Sequence, residues 1–118
     1  MPFSDYKTAL VTGASSGIGA AVVERLSSEG LRVHALARSA KALAGLAERT
    51  GCIAHALDVT DLAAVTRLTQ EVEFDVLVNN AGVDRPNPFL KAEADDIDLL
   101  VDVNLRAVLH LCRLVVPG

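Results

Sequence analysis

The sequence predicts an α/β protein: a doubly wound parallel sheet in three layers, helices on both faces, incomplete at its C-terminal side. Three observations carry this. Short runs rich in Val, Leu and Ala alternate with stretches of helical periodicity along the chain. Three glycines cluster where the first run meets the first helical stretch. The composition is 51% hydrophobic but only 3% aromatic, which suits buried parallel strands beneath helices. At 118 residues the chain predicts a single domain spanning 1–118, able to bury a core but without room for a second.

The elements follow in order. "KTALVT" (7–12) is the first strand. Ile18, Ala21, Val22 and Leu26 then repeat at helical spacing until Gly30 stops the segment. "LRVHALA" (31–37) is the second strand, and "SAKALAGLAERT" the second helix, with Ser39 placed to cap it. "CIAHALD" (52–58) is the third strand. In "TDLAAVTRLTQEV" Leu62, Val65, Leu68 and Val72 share one side, and Thr60 or Asp61 can cap that helix. "DVLVNN" (75–80) is the fourth strand. An irregular stretch, "AGVDRPNPFLKAEA", then falls at the carboxyl edge of the sheet, where open α/β folds bind ligands.

Composition also excludes several classes of function. Eleven basic against fifteen acidic side chains give a net charge of -4, with neither sign gathered into a block, so a nucleic-acid or anionic-membrane partner is disfavoured. Cys52 and Cys112 lack metal-ligand spacing and read as two reduced thiols. No metal site is expected, and the acidic "EADD" (93–96) most simply favours a helix N-terminus. His34, His55 and His110 look scattered, with core or surface roles. There is no membrane-spanning run and no signal peptide at "MPFSDYK", so the expectation is a soluble cytoplasmic protein.

The glycine junction is the first functional signal. A helix N-terminus offers unpaired N–H groups and the positive end of the helix dipole, a natural seat for a phosphate or pyrophosphate. In "TGASSGIG" Gly13 permits a tight exit from the strand, Gly17 lets oxygens approach the backbone, and Gly19 lets the helix pack on the strand. Ser15 and Ser16 add hydroxyls, and Ile18 completes the turn. The lysine and hydroxyl of a Walker loop are missing, which disfavours triphosphate chemistry. Glycines that merely turn the chain are the bland alternative. Their place between strand and helix in a βαβ unit favours a Rossmann-type, dinucleotide-binding domain.

Thr12-Gly13-Ala14-Ser15-Ser16-Gly17-Ile18-Gly19, Asp58-Val59-Thr60, Asn79-Asn80-Ala81-Gly82 and Val103-Asn104 occur together in this order. In this the sequence resembles the short-chain dehydrogenases/reductases, from Gly13 to Asn104. The resemblance implies hydride transfer between a nicotinamide cofactor and a small-molecule carbonyl or secondary alcohol. It also implies a cofactor site that includes Gly13, Ser15, Ser16, Gly17, Ile18, Gly19, Asp58, Val59, Asn80, Ala81 and Gly82. Asp58 would receive the adenine amino group, though it could instead cap the next helix. Asn80-Ala81-Gly82 would leave room for a ribose, though Asn80 could only tie two strands together.

The end of the second strand addresses the choice of cofactor. An acidic residue there would receive the ribose 2′-hydroxyl of NAD. Ala37 and Arg38 stand in that place, and a guanidinium beside a neutral residue favours the 2′-phosphate of NADP, with NAD the alternative.

From Ile97 onward, apolar residues at 97, 100, 101, 105, 108, 111, 112 and 115 form one broad helical stripe. Asn104 lies on it, so its amide is expected to find partners inside the fold. The resemblance implies a catalytic part for Asn104 in a proton relay, against a purely structural amide. It also implies that this helix packs on its copy, making a homodimer or homotetramer, with plain core packing as the alternative. The family's serine, tyrosine and lysine lie downstream of this helix, and Tyr6 with adjacent Lys7 cannot replace them. The expectation is therefore the N-terminal, cofactor-binding part of a longer single-domain enzyme, inactive as these residues alone. The other readings are a non-catalytic dinucleotide sensor and an unrelated doubly wound domain such as a methyltransferase-like one.

Overall fold

In the structure, a computed structural model, residues 6–15, 17–80, 98 and 101–116 are described. Four parallel strands form one sheet in the order β3-β2-β1-β4. The strands are β1 (Thr8–Thr12), β2 (Arg32–Ala37), β3 (Ile53–Ala56) and β4 (Val76–Val78), joined through helices α1 (Gly17–Ser28), α2 (Ala40–Thr50) and α3 (Leu62–Glu71). A π-helical turn (Asp102–Arg106) then leads into α4 (Ala107–Val115).

The strand period of two sorts side chains onto two faces. Ala9, Val11, Val33 and Ala35 face α1 and α2, where Val23, Leu26, Leu43 and Leu46 close one core. Leu10 and Leu36 point the other way, to Val65, Leu68 and Leu111. Ala9, Leu10 and Val11 have no exposed surface, as expected of a central strand covered on both sides. Each fully buried Leu or Val side chain contributes about 1.5–3 kcal/mol.

Caps fix where the helices begin. The Ser39 hydroxyl accepts from the Ala42 N–H, and the Asp61 carboxylate accepts from the Ala64 N–H. Of the two candidate caps for α3, Asp61 takes the role, and Asp58 does not cap that helix. Asp75 fastens the amino end of the sheet by accepting from the N–H groups of Lys7 and Thr8 at 2.8 and 3.0 Å.

Three expectations need correction. β3 is four residues long rather than seven and mostly exposed; among the described strands it pairs only with β2. β4 is three residues long and pairs only with β1 among them. The last apolar stripe does not stay on one buried side. The Ala107 N–H donates to the Asp102 carbonyl, five residues back, and this wider turn slips a 3.6-residue register. Ala107 and Leu111 face the core, whereas Val101, Leu105 and Leu109 are 39%, 54% and 61% exposed. Asn104, within the π turn, is exposed rather than set among aliphatics.

Candidate functional site

The carboxyl ends of β1, β2 and β4 meet around the glycine turn. Gly13 leaves β1 with φ +61° and Gly17 opens α1 with φ +59°, both in the left-handed region that glycine enters without cost. The two helical glycines serve different ends. A Cβ on Gly19 would collide with the Gly13 carbonyl oxygen and stand 2.6 Å from the Asn80 amide nitrogen, so Gly19 is where helix and turn touch. A Cβ on Gly17 would meet nothing within 4 Å, so the backbone there faces open space. The first turn of α1 contains no acidic side chain, and its N–H groups lack intrahelical acceptors.

A hydrogen-bonded knot holds the turn. Thr12 Oγ1 accepts from the Asn80 N–H at 3.1 Å and donates to the Val78 carbonyl at 3.4 Å, while Asn80 Nδ2 donates to the Gly13 carbonyl at 3.1 Å. Asn80 thus ties β4 to the turn. The Ala14 N–H donates to the Leu36 carbonyl at 3.3 Å and fastens the turn to β2 as well. Ser15 is half-buried, and Ile18 is 75% exposed.

Farther along the same edge, β2 ends in buried Ala37 and exposed Arg38. The Leu57 N–H donates to the Ala37 carbonyl, carrying the ladder past β3 and bringing exposed Asp58 to the rim. The Asp58 carboxylate accepts from the Thr60 N–H at 2.9 Å and the Thr60 hydroxyl at 2.7 Å. Those two bonds, with the Arg38 charge adding to them, hold its pKa below the ordinary carboxylate value. Half-buried Val59 and exposed Thr60 begin a groove of about 450 Å³ that continues along Val65, Ala107 and His110.

The structure therefore brings together Gly13, Ser15, Gly17, Ile18, Gly19 and Asn80 at the turn, and Arg38, Asp58 and Val59 beside it. Ser16, Ala81, Gly82 and the stretch 81–97 lie outside the described residues. Asn104 stands on the following element. Tyr6 packs on the α1/α2 core next to the start of β1, at the opposite end of that strand from the turn. Sequence reasoning missed the Thr12 hydroxyl as the centre of the knot. It also missed that His34 and His55 meet, their ring nitrogens 2.8 Å apart. Strand alternation across the two neighbouring runs could have placed both rings on one face.

This parallel α/β/α sheet with a glycine turn at its carboxyl edge defines a Rossmann-like protein. The chain belongs to the short chain dehydrogenase family, whose model matches residues 7–118. It is 43% identical over 113 residues to an uncharacterised short-chain type dehydrogenase/reductase of Sinorhizobium fredii, covering 95% of this chain and 46% of that protein. It is 41% identical to D-erythrulose reductase of Gallus gallus, covering 92% of this chain and 45% of that one. Among solved structures, a metagenomic short-chain oxidoreductase in complex with NADP superposes with a TM-score of 0.89 at 35% identity, over 94% of this chain and 55% of that one. L-sorbose reductase of Gluconobacter frateurii, complexed with NADPH and L-sorbose, gives 0.83 at 31% identity, over 96% and 47%. The chain spans about half the length of the curated relatives it matches.

Proposed function

We propose that residues 1–118 form the cofactor-holding domain of a longer, NADP(H)-dependent oxidoreductase acting on a carbonyl or secondary alcohol of a small molecule. The observation that carries this is the open, left-handed backbone at Gly17, at the mouth of a helix whose first N–H groups have no acceptor within the helix itself. A diphosphate fits that opening, and a side chain there would be strained. Gly13 and Gly19 shape the turn, Ser15 and Ser16 add donors, and Ile18 covers it. Asp58 and Val59 are assigned to the adenine, and Asn80, Ala81 and Gly82 to the ribose side. The neutral end of β2 followed by Arg38 favours a 2′-phosphate, since a guanidinium pairs with it in two hydrogen bonds.

When bound, the nicotinamide supplies the hydride acceptor or donor. The residues of this chain bind and orient it. Asn104 is assigned to a proton relay whose serine, tyrosine and lysine come from the rest of the enzyme. We further propose a cytoplasmic homodimer or homotetramer, supported by the exposed apolar residues Val101, Leu105 and Leu109. Among the described residues no helix is long and apolar enough to cross a membrane.

Calorimetry of the intact protein with NADPH and NADH tests the cofactor assignment. NADPH should bind more tightly, and Arg38→Ala should weaken it by about 10-fold or more while leaving NADH nearly unchanged. Equal affinities that ignore Arg38 would remove the NADP assignment. Tight NADPH binding without turnover of any carbonyl or alcohol would favour the non-catalytic sensor instead.

A further inference from the structure

We propose that the His34–His55 pair is an acid-sensitive latch that holds the edge strand β3 to β2, closed while the two rings share at most one extra proton and opened by a second. The geometry is specific. His34 Nδ1 and His55 Nε2 lie 2.8 Å apart, with the rings only 12° from parallel and their centroids 5.1 Å apart. Rings that meet at their nitrogens with centroids so distant join edge to edge, not face to face.

Counting protons gives the switching rule. A hydrogen bond between two imidazoles needs a hydrogen on one facing nitrogen and a lone pair on the other. The neutral pair meets that condition with either ring as donor. One added proton preserves it, because the cationic ring donates and its neighbour still accepts. A second puts hydrogens on both facing nitrogens and two positive charges side by side, and the contact cannot survive.

The surroundings make this consequential. His34 is 4% exposed, in register beside Leu10 of β1, with the Phe74 ring edge-on at 5.2 Å from the segment before β4. Among the described residues two charges act on the pair from the elements around it. Arg32 on β2 opposes protonation of His34, and Glu71 at the end of α3 favours protonation of His55. Burial is the largest influence on each ring and holds both pKa values below the ordinary 6.5. The sign follows from linkage: the opened strand binds protons near 6.5, where the closed pair still resists them. Closure is fully favoured above that value and weakens as pH falls through it toward the lowered values of the closed pair. β3 is a short edge, four residues with one neighbouring strand among those described, so the pair adds to the β2 ladder and the packing of α2 that also hold it.

The test follows the imidazole nitrogens by NMR and the backbone amides by hydrogen exchange, in the intact protein, between about pH 7.5 and about pH 5. The expected result is two separate titration steps, both below the ordinary histidine value. After correction for intrinsic exchange rates, β3 amides should lose protection several-fold more than those of β1. His55→Gln supplies an amide that can bond His34 but cannot take the second proton, so it should leave one step and keep β3 protected. Independent titration of both rings at the ordinary value would overturn the latch, as would parallel loss of protection in β3 and β1. Should the variant fail to fold, the titration and exchange of the unaltered protein decide alone.

Discussion

Gly17 and Gly19 stand two residues apart in one helix turn, yet the structure makes them sensitive for different reasons. At Gly19 a methyl group would strike the Gly13 carbonyl and the Asn80 amide, both held in the knot. Gly19→Ala should therefore destabilise the fold by about 1–3 kcal/mol, read from urea unfolding. At Gly17 there is room, and the cost is only that of the left-handed backbone. Gly17→Ala should cost about 1–2 kcal/mol in the same assay, without the steric component. The spacing of the glycines was legible in sequence, but the division of labour was not, because it depends on what the fourth strand brings against the turn. Asp75 is a second case. Its carboxylate accepts from the N–H groups of Lys7 and Thr8 and is held below the ordinary carboxylate pKa mainly by those bonds. A depressed carboxylate stabilises above its unfolded value of 3.8 and loses that contribution as pH falls below it. Asp75→Asn should speed hydrogen exchange at Lys7 and Thr8 while sparing the centre of β1.

At the scale of the element, alternation of strand and helix was enough to anticipate a parallel sheet with helices on both faces. Strand lengths were not, because periodicity cannot tell an edge strand from a covered one: "CIAHALD" reads as apolar, yet only Ile53–Ala56 pairs. The π turn was equally hidden. Nothing in "DVNLR" marks a bond five residues long, and counting at 3.6 carried Asn104 to the inside when the turn leaves it exposed. Capping was readable, since Ser39 and Asp61 precede helical runs. Ser39→Ala should lower stability by about 0.5–2 kcal/mol, measured by chemical denaturation, because the Ala42 N–H loses its acceptor.

Over the whole molecule, the two cores are unequal in what they leave uncovered. The face under α1 and α2 is closed by Val23, Leu26, Leu43 and Leu46, whereas on the other side the π-helical turn and α4 bury Ala107 and Leu111 and leave Val101, Leu105 and Leu109 exposed. If those exposed residues meet a second copy, Leu109→Asp should shift the intact protein toward monomer in sedimentation analysis, with unfolding of the monomer nearly unchanged. Leu46→Ala, by contrast, should cost about 2–5 kcal/mol wherever the protein stands in its assembly.

All of these scales converge on the turn where β1 hands the chain to α1, and the claim that it grips a diphosphate is tested most directly by calorimetric titration of the intact protein and its Gly17→Ala variant with NADPH. The expected result is one site per chain, weakened about 10-fold or more in the variant although the fold persists. An absence of binding heat in the unaltered, folded protein, or an affinity indifferent to Gly17, would contradict it.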